Sequence, residues 1–200
     1  MRIPRNQVVA LLLIMIGAVG GSCASGSAST RAVPSGVRVA AGSARPIPLI
    51  LAADQGERRV RRTLGGARLL VKVDPQTAQS PEFVMTMETI PPGEGIPAHV
   101  HPSADEIIFV HRGTGAAQLG SRSTAVAEGA TIYVPRSTRV AIRNTSSQPL
   151  VILAIFSQTG FESYLRDTSV PVGQPVVPLT AAELNAIRAH HEHDIVFENP

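Results

Sequence analysis

The chain has 200 residues, 44% hydrophobic and 16% charged, which is enough apolar material for one domain with its own core. Its 17 Gly and 16 Pro are spread along the length, a composition that suits short strands joined by turns and argues against a helical bundle. The formal charge of +3 is not gathered into one basic face or run, which argues against a nucleic-acid partner.

The first residues predict an export signal. Arg2 and Arg5 supply a positive end, and "VVALLLIMIGAVGG", Val8 to Gly21, supplies an apolar stretch too short to span a membrane comfortably. Loss of residues 1–22 removes two Arg and no acids, so +3 becomes +1 and the remaining domain is near neutral. Cys23 is the single cysteine, so no internal disulfide can form. Its place after "GGS" resembles a bacterial lipoprotein signal. That resemblance implies lipidation of Cys23, membrane attachment through the acyl chains, and residence in the periplasm or on its membrane. Gly20 stands where such signals usually carry Leu, and ordinary cleavage after Ala24 is the alternative.

Residues 23–46 are small, polar and punctuated by Pro, and read as a disordered tether. A strand is expected near Ile47–Ala52, followed by a solvated basic loop holding Arg58, Arg59, Arg61 and Arg62. From Ala67 onward the pattern is β. The segments "RLLVKVD", "FVMTMETI", "DEIIFVHRG", "GAAQLG", "STAVAEG", "ATIYVP", "TRVAIRN" and "PLVILAIFS" alternate apolar and polar residues or are rich in branched ones. Gly, Pro, Asn or Ser breaks separate them about every 8 to 12 residues, the spacing of an antiparallel sandwich or barrel. Met85 and Met87 read as core filling.

Two helices are predicted near the C-terminus. "GFESYLRD" places Phe161, Tyr164 and Leu165 on one face. "TAAELNAIRAHHEHD" opens with Thr180-x-x-Glu183, a capping box, with Leu179 and Leu184 spaced as a hydrophobic staple. His190, His191 and His193 do not share a helix face and read as solvent-exposed residues favoured by the helix dipole. "DIVFENP" is expected to return as an extended segment.

The stretch "GEGIPAHVHPSADEIIFVHRG" carries the chemistry. His99 and His101 are two apart, so on a strand both imidazoles face one side. "PSAD" allows a turn, and Glu106 opens the next strand, with Ile108 and Val110 on its face and His111 on the other. Two His and one carboxylate on one side form a facial three-ligand set, which suits non-haem Fe(II) and also accepts Mn, Ni or Zn. No nucleophile triad or phosphate loop is visible.

These residues resemble the first motif of the cupin family, which runs Gly, five residues, His-x-His, three or four residues, Glu, six residues, Gly. Gly93, His99, His101, Glu106 and Gly113 match it throughout. The family's second motif is met in "GATIYVPRSTRVAIRN" by Gly129, Pro135 and Asn144, but Ser137 replaces its Gly and Val140 its His. The fourth metal ligand of the family is therefore absent, because valine has no side-chain lone pair.

The resemblance covers residues 68–157 by motif and extends to the tail at 161–200. It implies an all-β, double-stranded β-helix (jelly-roll) barrel within a cupin domain over 47–200. It further implies a divalent transition metal near one mouth, a small-molecule ligand, and a homodimer. The inward residues expected to line the pocket are Met85, Met87, Ile108, Val110, Tyr133, Thr138, Val140 and Ile142. Because the fold hosts many chemistries, two functions stay open. One is a metal-dependent oxygenase or isomerase of the quercetin-dioxygenase-like kind, with Glu106 as a base when the metal does not fully engage it. The other is a non-catalytic binding barrel whose metal site is weakened or lost.

Overall fold

The computed structural model describes residues 45–198. The expected export signal, Cys23 and nearly all of the expected tether lie outside the described residues, as do residues 199–200. Twelve strands and two helices follow in the described chain. The strands are β1 (Glu57–Arg61), β2 (Arg68–Val73), β3 (Val84–Ile90), β4 (Gly95–Val100), β5 (Glu106–Arg112), β6 (Thr114–Leu119), β7 (Arg122–Ala127), β8 (Thr131–Val134), β9 (Val140–Arg143) and β10 (Leu150–Phe156). Helix α1 (Phe161–Asp167), β11 (Ser169–Pro171), α2 (Ala181–His190) and β12 (Val196–Phe197) complete the order.

Two antiparallel sheets form the expected jelly roll. The seven-stranded sheet runs β11-β1-β2-β3-β10-β5-β8, and the five-stranded sheet runs β12-β4-β9-β6-β7. Period-two burial drives the arrangement. On β5, Glu106, Ile108 and Val110 are buried while Ile107, Phe109 and His111 are exposed. An apolar cluster of Ile90, Ile108, Val110, Val134, Val140, Ile142, Leu150 and Ile152 fills the space between the sheets. A second cluster seats α1 and the C-terminal segment on β2, through Leu69, Val71, Tyr164, Leu165 and Ile195.

Gly113 connects β5 to β6 with φ +94°, and a Cβ there would stand 2.6 Å from the carbonyl oxygen of Pro149. Both facts demand glycine at this motif position. Asn144, the last residue of the second motif, is fully buried. Its side-chain amide donates to the carbonyls of Ile90 and Gln148, and its oxygen accepts from Ser146, so one side chain closes the β9–β10 turn.

The N-terminal part of the described chain differs from the sequence expectation. Residues 47–52 form no strand, and the first strand is "ERRVR", read above as a solvated loop. The arginines tolerate the sheet because distant partners satisfy them. Arg59 donates to Ser169 and to the Arg166 carbonyl and pairs with Glu57. Arg61 points inward and is 5% exposed. The helices stand where expected, and the capping box of Thr180 and Glu183 forms. His191 is the exception in the tail. It is buried rather than solvated, with Nε2 2.8 Å from Oδ2 of Asp167. His190 and His193 are exposed.

Candidate metal centre

His99 on β4 and His101, one residue past the end of that strand, both turn inward, and β5 brings Glu106 in beside them. One potential ligand atom from each of the three lies within 4.8 Å of the others, and all three residues are buried. Nε2 of His101 is 3.9 Å from Oε2 of Glu106. Ligands at right angles about 2.1 Å from a common ion stand about 3 Å apart, so a small side-chain adjustment closes the set.

The backbone presets the imidazoles. Nδ1 of His99 donates to the Pro97 carbonyl at 2.8 Å, and Nδ1 of His101 donates to the Asp194 carbonyl at 2.7 Å. A carbonyl only accepts, so the ring proton of each histidine sits on Nδ1 and the lone pair sits on Nε2. Aromatic rings hold the orientation. His101 packs edge-on against Phe156 and Phe161, with centroids at 5.0 and 4.7 Å, and His99 lies 5.7 Å from Phe197.

Burial sets the protonation states. It holds the His99 imidazole down at about 4, against the hydrogen bond to Pro97. Burial, reinforced by His99, holds His101 down at about 3. Burial and then the charge of Glu88 push Glu106 up to about 8. Near neutral pH both imidazoles are therefore free bases. Nε2 of His101 and Oε2 of Glu106 are buried without a hydrogen-bond partner among the described residues. An ion between them satisfies both atoms, so the residues fit a borderline-soft divalent metal.

The triad opens on a cavity of about 100 Å³. Of the eight pocket residues expected from sequence, Ile108 and Ile142 line it. Val110 and Val140 belong instead to the apolar cluster, at 1% and 0% exposure. Val140 sits directly opposite His99 in the β4–β9 register, so the position of the family's fourth ligand is filled by packed hydrocarbon. Thr138 is half-buried ahead of β9 and does not reach the cavity. Tyr133 is exposed on the outer face of β8. Met85 and Met87 are corrected in the same sense. The buried residues of β3 are Val84, Thr86, Glu88 and Ile90, and Met87 lines a groove outside the barrel. The sequence reading followed hydrophobicity, but Thr86 and Glu88 share the enclosed face of β3 with Val84 and Ile90, so the methionines fall on the other face.

Sequence reasoning missed Arg61, Thr86 and Glu88, which also line the cavity, as does Phe197. Period two along "VMTMETI" had offered a signal for Thr86 and Glu88. Only the pairing of β1 into the sheet reveals Arg61.

Residues 86–156 match a family model described as the cupin domain. The chain carries a cupin domain. Comparison with curated proteins finds no match. Among solved structures, the cupin barrel is similar to a predicted oxalate decarboxylase from Thermotoga maritima, at 16% identity and TM-score 0.49 over 56% of this chain and 100% of that one. It is similar to an RmlC-like cupin from Shewanella frigidimarina, at 13% identity and TM-score 0.49 over 59% of this chain and 97% of that one. A putative sugar phosphate isomerase from Acidithiobacillus ferrooxidans gives 22% identity and TM-score 0.46 over 55% and 75% of the two chains. Likeness at this level says nothing of what this cupin binds.

Proposed function

We propose that this cupin holds a divalent transition metal through Nε2 of His99, Nε2 of His101 and the carboxylate of Glu106, and binds a small molecule beside it. The observation that carries the reading is the pair of buried, unpartnered ligand atoms on His101 and Glu106, in a site where two carbonyls preset both imidazoles. Two nitrogens and one carboxylate suit Fe(II), Mn, Ni or Zn. Such an ion supplies Lewis acidity and open coordination positions for a ligand. The chain's own residues orient the imidazoles, exclude water with aromatic walls, and keep a proton on Glu106 until the metal displaces it.

The enzymatic form of the proposal, an oxygenase or isomerase acting on a small molecule, rests on the ligand set leaving positions open. Export, with attachment through Cys23, is proposed on the sequence pattern of residues 1–23 alone.

Metal analysis tests the reading. Protein purified without chelator and reloaded with each ion should hold about one equivalent of one of them, and His101→Ala and Glu106→Gln should lose it. Less than about a tenth of an equivalent after reloading overturns the metal site.

A further inference from the structure

We infer that the small molecule is a carboxylate of a few heavy atoms, held between Arg61 and the metal ion. The inference rests on the metal reading above and names the ligand class of that site. Arg61 comes from β1 and borders the same cavity as His99, His101 and Glu106. It is 5% exposed, and its Nε and Nη1 are buried without a hydrogen-bond partner among the described residues. Glu88 faces it, but Oε1 of Glu88 stands 3.5 Å from Nε and is itself unpartnered. This ion pair balances charge without using the donors. A buried guanidinium with unused N–H groups is costly, and its planar fork matches a carboxylate.

Charge and size agree on the occupant. A divalent ion, Arg61 and Arg188, which also lines the cavity, bring four positive charges against the two carboxylates of Glu88 and Glu106. The surplus is positive, which an anionic ligand offsets. The cavity of about 100 Å³ is far smaller than a pocket for a drug-sized ligand, which starts at roughly 300 Å³. Ile108, Ile142, Phe156 and Phe161 supply apolar lining for a short hydrocarbon end.

The experiment uses the protein loaded with Co(II), whose visible bands report both metal binding and a change of ligand. Acetate is the probe, and acetamide is its neutral counterpart. Acetate should shift the bands and saturate, and acetamide should bind at least about tenfold more weakly. Arg61→Met should keep its Co(II) affinity and bind acetate at least about tenfold more weakly than the original protein, with Arg61→Lys in between. Equal binding of acetate and acetamide overturns the inference, and so does an Arg61→Met variant that binds acetate as the original does, because the carboxylate then rests on the metal alone. If Arg61→Met does not fold, the acetate-to-acetamide ratio and Arg61→Lys still decide. Failure of Co(II) to bind at all overturns the metal reading, and it is seen before any carboxylate is added.

Discussion

The main-chain carbonyl of Asp194 accepts a 2.7 Å hydrogen bond from Nδ1 of His101, 93 residues earlier in the chain. The C-terminal segment thereby sets the tautomer of an imidazole in the candidate metal centre. Asp194 is held in a turn whose N–H donates to the His191 carbonyl, and the His191 imidazole is anchored to Asp167. His191→Ala should loosen this turn and weaken metal affinity about 3- to 10-fold, as residues supporting metal ligands do. Competition against a colorimetric chelator measures it. A lower melting temperature with unchanged affinity would show that the tail supports the fold and not the ligand.

Metal affinity should depend on pH through Glu106. Its carboxyl keeps its proton up to about 8, so below that pH the metal must displace it. Affinity is expected to rise about tenfold per pH unit from 6 toward 8 and to level off above. His99 and His101, held at about 4 and 3, are already neutral in this range and add no slope. The sign for stability is the reverse. A carboxyl whose folded value is raised stabilises the metal-free fold at low pH and loses that contribution as pH rises toward 8. Glu106→Gln should remove both effects, as read by titrations and urea melts across pH 5–9.

Val140→His should restore a fourth ligand. Val140 faces His99 across the strand pair and is fully buried. Metal affinity is expected to rise at least about tenfold, while overpacking of the apolar cluster costs about 1–3 kcal/mol in the metal-free protein. Affinity that does not change would mean that position 140 points away from the ion.

Acid stability should depend on Arg166, whose Nη2 lies 2.5 Å from Oε2 of Glu57 and 2.6 Å from Oδ2 of Asp74. Burial raises both carboxyls, but the hydrogen bonds and charge around them outweigh it and hold both below the usual carboxylate range. A lowered folded value stabilises above the unfolded pKa and is lost as pH falls, so denaturant melts should weaken below about pH 4.5. Arg166→Met should cost about 3 kcal/mol at pH 7, because the Asp74 side chain is fully buried, and should flatten the acid limb.

Ser137 occupies the motif glycine's position with φ +60°, and its N–H donates to the carbonyl of His101 at 2.8 Å. A non-glycine residue is strained there, while glycine adds freedom to the unfolded chain, so Ser137→Gly should stabilise by a net of about 0.5–1 kcal/mol. Thermal melts in urea check the sign.

The sequence by itself determined the barrel and the cluster of His99, His101 and Glu106. His99 and His101 share a strand face by local geometry, and the Gly–His–Glu–Gly spacing is local too. The alternation of β5 was readable for the same reason. Only the tertiary structure decided what surrounds that cluster. On β3, hydrophobicity pointed Met85 and Met87 inward, yet Thr86 and Glu88 face the cavity, because the neighbouring strands determine which face of a strand is enclosed. Arg61 reads as one arginine in a basic run until β1 pairs with β2 and β11. Asp194 acts through its main-chain carbonyl, which no residue type announces. These features depend on register and on contacts between distant segments, and such contacts exist only once the chain has closed on itself.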